Sequence, residues 1–222
     1  MNIALILAGG TGTRLGANIP KQYLEVKGKT IIAYAMDVFE HMKEIDAIWV
    51  VAEQEWHELI QSYGGKKLKG FSVPGANRQL SIWNGLVDIA DFTSHDDVVI
   101  IHDAARPLVT EQILLDCIKA CDDHDGALPV LPMKDTVYIG ENGKITSLLD
   151  RQKVFAGQAP EAFLYGKYYE ATKSLLPDAI LKINGSTEPA ILAGMDIALV
   201  NGDERNFKIT TKEDLNRFME LI

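Results

Sequence analysis

The sequence predicts an α/β fold, a Rossmann-like, mostly parallel twisted sheet with a protruding β-arm, and three observations predict it. Short apolar runs rich in Val and Ile alternate with amphipathic stretches from the first residue onward. The first run ends in a cluster of glycines, where a strand meets a loop in such folds. Near Pro132 the alternation breaks into two strand-like runs joined by Gly140-Glu141-Asn142-Gly143, a hairpin turn signal.

The elements follow in order. Residues 3–7, 47–51 and 98–101 lack strict apolar-polar alternation, as strands covered on both faces do. Thr30 caps a helix to about residue 39, and residues 53–63 form another. Leu80, Trp83, Leu86, Val87 and Ala90 recur at helical spacing in a third, and 110–122 is a fourth. Residues 134–139 and 144–148 are the arm strands within an insertion spanning 133–157. A helix follows at 164–175, then a strand at 197–200. Thr211, with Asp214 three residues later, caps a final helix that turns Leu215, Phe218 and Leu221 inward. The chain reads as one domain, 1–222, with neither repeats nor low-complexity tracts.

Composition narrows the function. The 222 residues are 47% hydrophobic and 24% charged, which fits a packed globular chain. A net charge of −9 argues against general affinity for nucleic acid or anionic membrane. Cys117 and Cys121 lie four apart without a second pair, and read as reduced, half-buried thiols rather than metal ligands. The apolar start lacks a basic n-region and is too short to span a membrane, so a cytoplasmic location is expected.

Four segments carry chemistry. The first is Ala8-Gly9-Gly10-Thr11-Gly12-Thr13-Arg14 followed by Pro20-Lys21-Gln22-Tyr23-Leu24. A dinucleotide fingerprint fails because its third glycine position is Leu15, and a Walker loop fails because Ala17 follows Gly16. Arg14 and Lys21 instead flank a glycine turn whose N–H groups can face an anion, which suits a triphosphate under attack. A tight turn with two solvated cations is the plainer alternative.

The second is His102-Asp103-Ala104-Ala105-Arg106-Pro107. One carboxylate at the carboxyl end of a central strand suits a divalent cation shared with phosphates, although Asp103 could equally cap a turn and pair with Arg106. His102 reads as a hydrogen-bonded core histidine. The third, Gly75-Ala76-Asn77-Arg78-Gln79-Leu80-Ser81, opens a helix whose first turns could turn Ser81 toward a ligand; by itself it reads only as a capped helix. The fourth, Asn206-Phe207-Lys208-Ile209-Thr210, reads on its own as a short, solvated edge strand.

Together these motifs, with Lys134-Asp135-Thr136-Val137 and Gln158-Ala159-Pro160-Glu161-Ala162-Phe163, resemble the 2-C-methyl-D-erythritol 4-phosphate cytidylyltransferases and the related ribitol-5-phosphate cytidylyltransferases. The likeness runs from end to end and implies a nucleotidyltransferase-type sheet with an arm that forms a homodimer. It implies Mg2+ or another divalent cation, and CTP as co-substrate. The reaction it implies is direct attack of a polyol phosphate, methylerythritol phosphate first, on the α-phosphorus. By position, Arg14, Lys21 and Lys208 are catalytic, and Ala8, Gly9, Gly10, Gly75, Arg78, Ser81 and Ala104 bind the nucleotide. The same carry-over implies that Asp103 would hold the metal and that Arg106, Asp135 and Arg151 would serve the acceptor, Arg151 from the partner subunit.

Departures fall in the acceptor half. Ala159 stands where the family usually has threonine, Tyr138 where a lysine often follows D-T-V, and Asn184-Gly185-Ser186-Thr187-Glu188 where paired aspartates are usual. The alternatives are therefore ribitol 5-phosphate or another alditol or sugar phosphate as acceptor, a sugar-1-phosphate transferase using UTP or dTTP, or a degenerate nucleotide-binding protein without turnover.

Overall fold

The computed structural model describes residues 1–10 and 19–222. Its centre is β1 (Asn2–Leu7), flanked in parallel by β4 (Ala47–Val51) and β6 (Val98–Asp103), so that Leu7 lies opposite Val51 on one side and Asp103 on the other. β5 (Leu68–Ser72) continues the parallel half beyond β4. The other half turns antiparallel: β11 (Glu161–Leu164) runs against β6, β7 (Gly126–Pro132) against β11, and β10 (Phe155–Gly157) against β7. β12 (Ile197–Asn201) pairs with β7 in parallel. A small hairpin, β2 (Glu25–Val26) with β3 (Lys29–Thr30), sits apart.

Helices cover both faces, which explains why the central strands carry apolar residues toward both of them. Ala4 and Ile6 of β1 point to the face packed by Ile32, Met36 and Phe39 of α1 (Ile31–His41) and by Ile113, Leu114 and Cys117 of α4 (Glu111–Ala120). Ile3 and Leu5 point to the opposite face, toward Ile82 and Leu86 of α3 (Arg78–Asp88) and Tyr168 of α5 (Tyr165–Lys173). A strand alternates its side chains, so two buried faces require apolar residues throughout. α2 (His57–Tyr63), α6 (Glu188–Leu192) and α7 (Lys212–Leu221) complete the helices among the described residues.

Several local expectations need correction. Residues 53–63 split into a 3-10 turn, Gln54–Trp56, and α2. Thr30 precedes α1 without a capping hydrogen bond from its side chain, whereas Thr110 caps α4 by accepting from Ile113 N at 3.3 Å. The buried residues of α3 are Gln79, Ser81, Ile82, Gly85 and Leu86; of the stripe read from Leu80, Trp83, Leu86, Val87 and Ala90, Leu86 is fully buried but Val87 is exposed, so the stripe is rotated from the buried face. In α7 Phe218 is fully buried and the Thr211–Asp214 capping box is complete, but Leu221 is exposed. Cys117 and Cys121 are buried rather than half-buried. Residues 206–210 form no strand.

The arm hairpin is β8 (Tyr138–Glu141) with β9 (Lys144–Leu148), closed by Asn142 and Gly143, both at positive φ as a tight two-residue turn demands. Every residue of both strands is exposed, including Tyr138, Ile139, Ile145 and Leu148. Phe155–Gly157, placed by sequence inside the arm, belongs to the main sheet as β10. Among the described residues no helix is long and apolar enough to cross a membrane.

Candidate functional site

Because β4 and β6 lie on opposite sides of β1, the strand order reverses at β1, and a crevice opens beyond the carboxyl ends there. A cleft of about 520 Å³ occupies that place. Its lining includes Gly9, Gly10, Lys21, Gly75, Arg78, Ser81, Asp103, Ala104 and Lys208. Three chain segments far apart in sequence therefore meet the glycine turn in one space.

Each segment is delivered by identifiable local forces. After β1, Ala8 donates its N–H to Val51 O at 2.8 Å and is buried, so Gly9 and Gly10 emerge at the cleft while Ala8 stays beneath it. A 3-10 turn, Lys21–Tyr23, places Lys21 in the lining of the same cleft. Before α3, Asn77 Oδ1 accepts from Leu80 N at 2.8 Å as the N-cap, and Ser81 Oγ accepts from Gly75 N at 3.0 Å. A Cβ at Gly75 would lie 2.3 Å from Leu80 Cβ, so glycine allows this close turn.

Lys208 arrives on an extended segment pinned at several points. Asn206 is fully buried and donates from Nδ2 to Ala159 O at 2.8 Å, and Ile209 N donates to Ala105 O at 2.8 Å. Arg106 fastens the same segment by donating from Nη1 to Asn206 O at 2.6 Å. Lys208 between these anchors points inward, and its Nζ lies 3.0 Å from Asp103 Oδ2.

Asp103 is the electrostatic centre. Arg78 Nε lies 3.2 Å from its Oδ1 and Arg106 Nε lies 3.6 Å from its Oδ2. Burial alone would raise this carboxyl, but Arg78, Lys208 and Arg106 outweigh it and hold it well below the usual carboxylate range. It is ionised at neutral pH. His102 is fully buried and its Nε2 lies 3.0 Å from Arg106 O; burial pushes it down to about 4, so it is neutral and structural.

Glu161, in the altered acceptor segment, is a second buried carboxylate, raised by its burial and bonded by Thr187 Oγ1 at 3.0 Å. Ala159 is buried with no hydroxyl to offer.

The structure brings most of the predicted residues together, but not all of them. Arg14 lies outside the described residues. Arg106 sits behind the cleft, its guanidinium engaged with Asn206 and Asp103, so its geometry is that of a brace rather than a lining group. Asp135 and Arg151 are exposed near the arm and absent from the lining, and Arg151 Nη1 donates to Lys134 O at 2.7 Å. Glu53, Asn77 and Thr210 line the cleft without having been singled out. Glu53 had a usable signal: it follows β4 at the same sheet end as Asp103.

Could a divalent cation sit here? Among the described residues no group of three or more His, Cys, Asp or Glu side chains could hold one. A single carboxylate lining a cleft with cations around it fits a metal that arrives with a triphosphate, whose oxygens and waters would supply the other ligands.

A glycine turn, a lysine and an ionised aspartate converge at the switch point of an α/β sheet, the place where folds of the nucleotide-handling class bind their ligands. The family model of IspD, 2-C-methyl-D-erythritol 4-phosphate cytidylyltransferase, matches residues 2–221. A Geobacter metallireducens 2-C-methyl-D-erythritol 4-phosphate cytidylyltransferase is 38% identical over 96% of this chain and 93% of its own. A ribitol-5-phosphate cytidylyltransferase of Streptococcus agalactiae is 35% identical over 100% of this chain and 95% of its own. Among solved structures, the Francisella tularensis 2-C-methyl-D-erythritol 4-phosphate cytidylyltransferase superposes with a TM-score of 0.85 at 25% identity, covering 100% of this chain and 99% of that one. The chain belongs to the IspD cytidylyltransferase family.

Proposed function

We propose that this protein transfers the cytidylyl group of CTP to a polyol phosphate, with 2-C-methyl-D-erythritol 4-phosphate as the first candidate acceptor. The observation that carries this reading is the convergence of Gly9, Gly10, Lys21, Asp103 and Lys208 on one cleft. The acceptor's phosphate oxygen attacks the α-phosphorus of CTP, the bond from that phosphorus to the bridging oxygen breaks, and pyrophosphate leaves. Charge accumulates on the α-phosphoryl oxygens in the transition state, where Lys21, Lys208 and Arg14 would stabilise it. Arg78 and Ser81 shape the nucleotide pocket with Gly75 and Ala104. A magnesium ion held by Asp103 would neutralise phosphate charge there.

Arg106 acts by fixing the segment that carries Lys208, in place of the direct acceptor contact that its motif implies. Arg151 and Asp135 serve the acceptor across a homodimer. Support for that assembly is the arm itself: a two-stranded hairpin is marginal alone, yet this one exposes Tyr138, Ile139, Ile145 and Leu148. A second copy of the arm is the cover we assign to them. The cytoplasm is the compartment that fits two reduced, buried thiols.

Ribitol 5-phosphate is the second reading for the acceptor, favoured by the ribitol-phosphate relatives and by Ala159 in place of the usual threonine. His102-Asp103-Ala104-Ala105-Arg106 favours the first. The test is pyrophosphate release from each of the four nucleoside triphosphates with a panel of acceptor phosphates. CTP-specific release with one polyol phosphate supports the proposal; turnover with UTP and a sugar 1-phosphate, or none at all, overturns it.

A further inference from the structure

Lys21 projects into the cleft from a very short turn, and its two neighbours do something the sequence did not disclose. Gln22 is 3% exposed. Its Nε2 donates to Ala8 O at 2.5 Å and to Gly10 O at 2.8 Å, so both amide hydrogens are spent on the glycine turn. Tyr23 donates its hydroxyl to the same Ala8 O at 3.1 Å, while its ring stacks on Trp56 with centroids 4.1 Å apart. Ala8 O therefore accepts from two side chains of one 3-10 turn.

The consequence is directional. In a planar trans peptide the carbonyl and the following N–H point opposite ways. With Ala8 O drawn inward toward Gln22 and Tyr23, the N–H of Gly9 is turned to the other side of that peptide plane. Gly10 O is engaged by the same amide at the cleft wall, so its negative end is spent on a donor instead of being free to repel an anion. The turn carries no side chains at Gly9 and Gly10 that could enforce this orientation, so it must be imposed from outside.

We infer that Gln22 is a positioning residue of the phosphate cradle: its carboxamide locks the carbonyls of Ala8 and Gly10 away from the nucleotide, and the same short turn sets Lys21 in register with that cradle. This rests on the cytidylyl reading above and adds to it a residue that acts through the backbone rather than on the substrate. Without this donor Ala8 O keeps only Tyr23, and Gly10 O, freed from its side-chain donor, can rotate toward the triphosphate and oppose it.

Gln22→Met keeps side-chain length without donors, and Gln22→Glu replaces the donors with acceptors facing two carbonyls. CTP binding is measured by calorimetry with magnesium, the Michaelis constant of the accepted polyol phosphate by pyrophosphate release, and folding by thermal melting. Q22M is expected to lose about tenfold in CTP affinity and Q22E more, with the acceptor's Michaelis constant within about twofold of the parent. Unchanged CTP affinity in Q22M, or equal losses for CTP and acceptor, overturns the inference. So does failure of both variants to melt cooperatively, which would make Gln22 a folding residue. Absence of CTP binding in the parent protein would instead sink the cytidylyl reading itself.

Discussion

Replacing Asp103 by Asn tests the electrostatics of the cleft most sharply, because the change keeps the shape and removes the charge. Asp103 balances Lys208 at 3.0 Å, Arg78 at 3.2 Å and Arg106 at 3.6 Å. Breaking a buried ion pair by neutralising one member costs about 3–5 kcal/mol, since the cations are left uncompensated. The side chains of Arg78 and Lys208 keep 31% and 34% of their exposure, so water recovers part of that cost. A net loss of about 2–3 kcal/mol remains, or roughly 5–10 °C of melting temperature for a chain this size.

The same substitution should have an opposite effect on metal-free nucleotide. Removing one negative charge within about 10 Å of a phosphate is worth on the order of 1.5 kcal/mol at an effective dielectric of about 20, close to tenfold in affinity. Asp103→Asn is therefore expected to melt earlier, bind CTP about tenfold tighter in EDTA, and lose turnover with magnesium. Thermal melting and calorimetry in EDTA read the first two directly. An unchanged melting point, or weaker CTP binding without metal, would refute the picture of three cations gathered by this one carboxylate.

Other outcomes follow from the same geometry. Lys21→Ala should reduce turnover by at least a hundredfold while changing CTP affinity far less, because its charge matters most in the transition state; single-turnover kinetics beside calorimetry separates the two. Under the proposed arm-to-arm assembly, the parent should sediment as a dimer and Ile145→Asp on the exposed arm as a monomer, without lowering the melting temperature by more than a few degrees. Arg151→Ala should raise the acceptor's Michaelis constant with CTP affinity nearly unchanged, read from initial rates with each substrate varied. Both thiols should resist a disulfide-exchange reagent at pH 8 and react once the chain is denatured, since burial pushes Cys121 up to about 12 and Cys117 higher still.

The central strands were legible because a sheet covered on both faces writes itself as unbroken runs of Val and Ile, and β1, β4 and β6 do so. β5 was missed because Lys69 and Gly70 interrupt its apolar pattern. β7 was hidden by Pro129 and Pro132, and β11 by its opening Glu161, a carboxylate buried by tertiary contacts that no local pattern reports. The face of α3 was misread for a related reason: Gln79 and Gly85 are buried there, and neither counts as hydrophobic in a periodicity.

The site divides along the same line. The glycine turn and Asp103 announce themselves at strand ends, where an α/β fold binds ligands. Lys208 does not, since its placement depends on Asn206 bonding Ala159 and on Ile209 entering a core cluster with Val26, Ile31 and Phe218. From its neighbours alone it looked like a solvated edge, and only the family resemblance singled it out. Gln22 was quoted within its motif but given no role, because its bonds close a loop with residues twelve and fourteen positions away.

A crystal structure of the protein with magnesium and a non-hydrolysable CTP analogue addresses the central claim most directly. The account predicts the triphosphate lying between the glycine turn and Lys21, with Lys208 drawn toward the α-phosphate and Asp103 holding the metal. Nucleotide bound elsewhere on the surface, or phosphates turned away from Lys21 and Asp103, would contradict it.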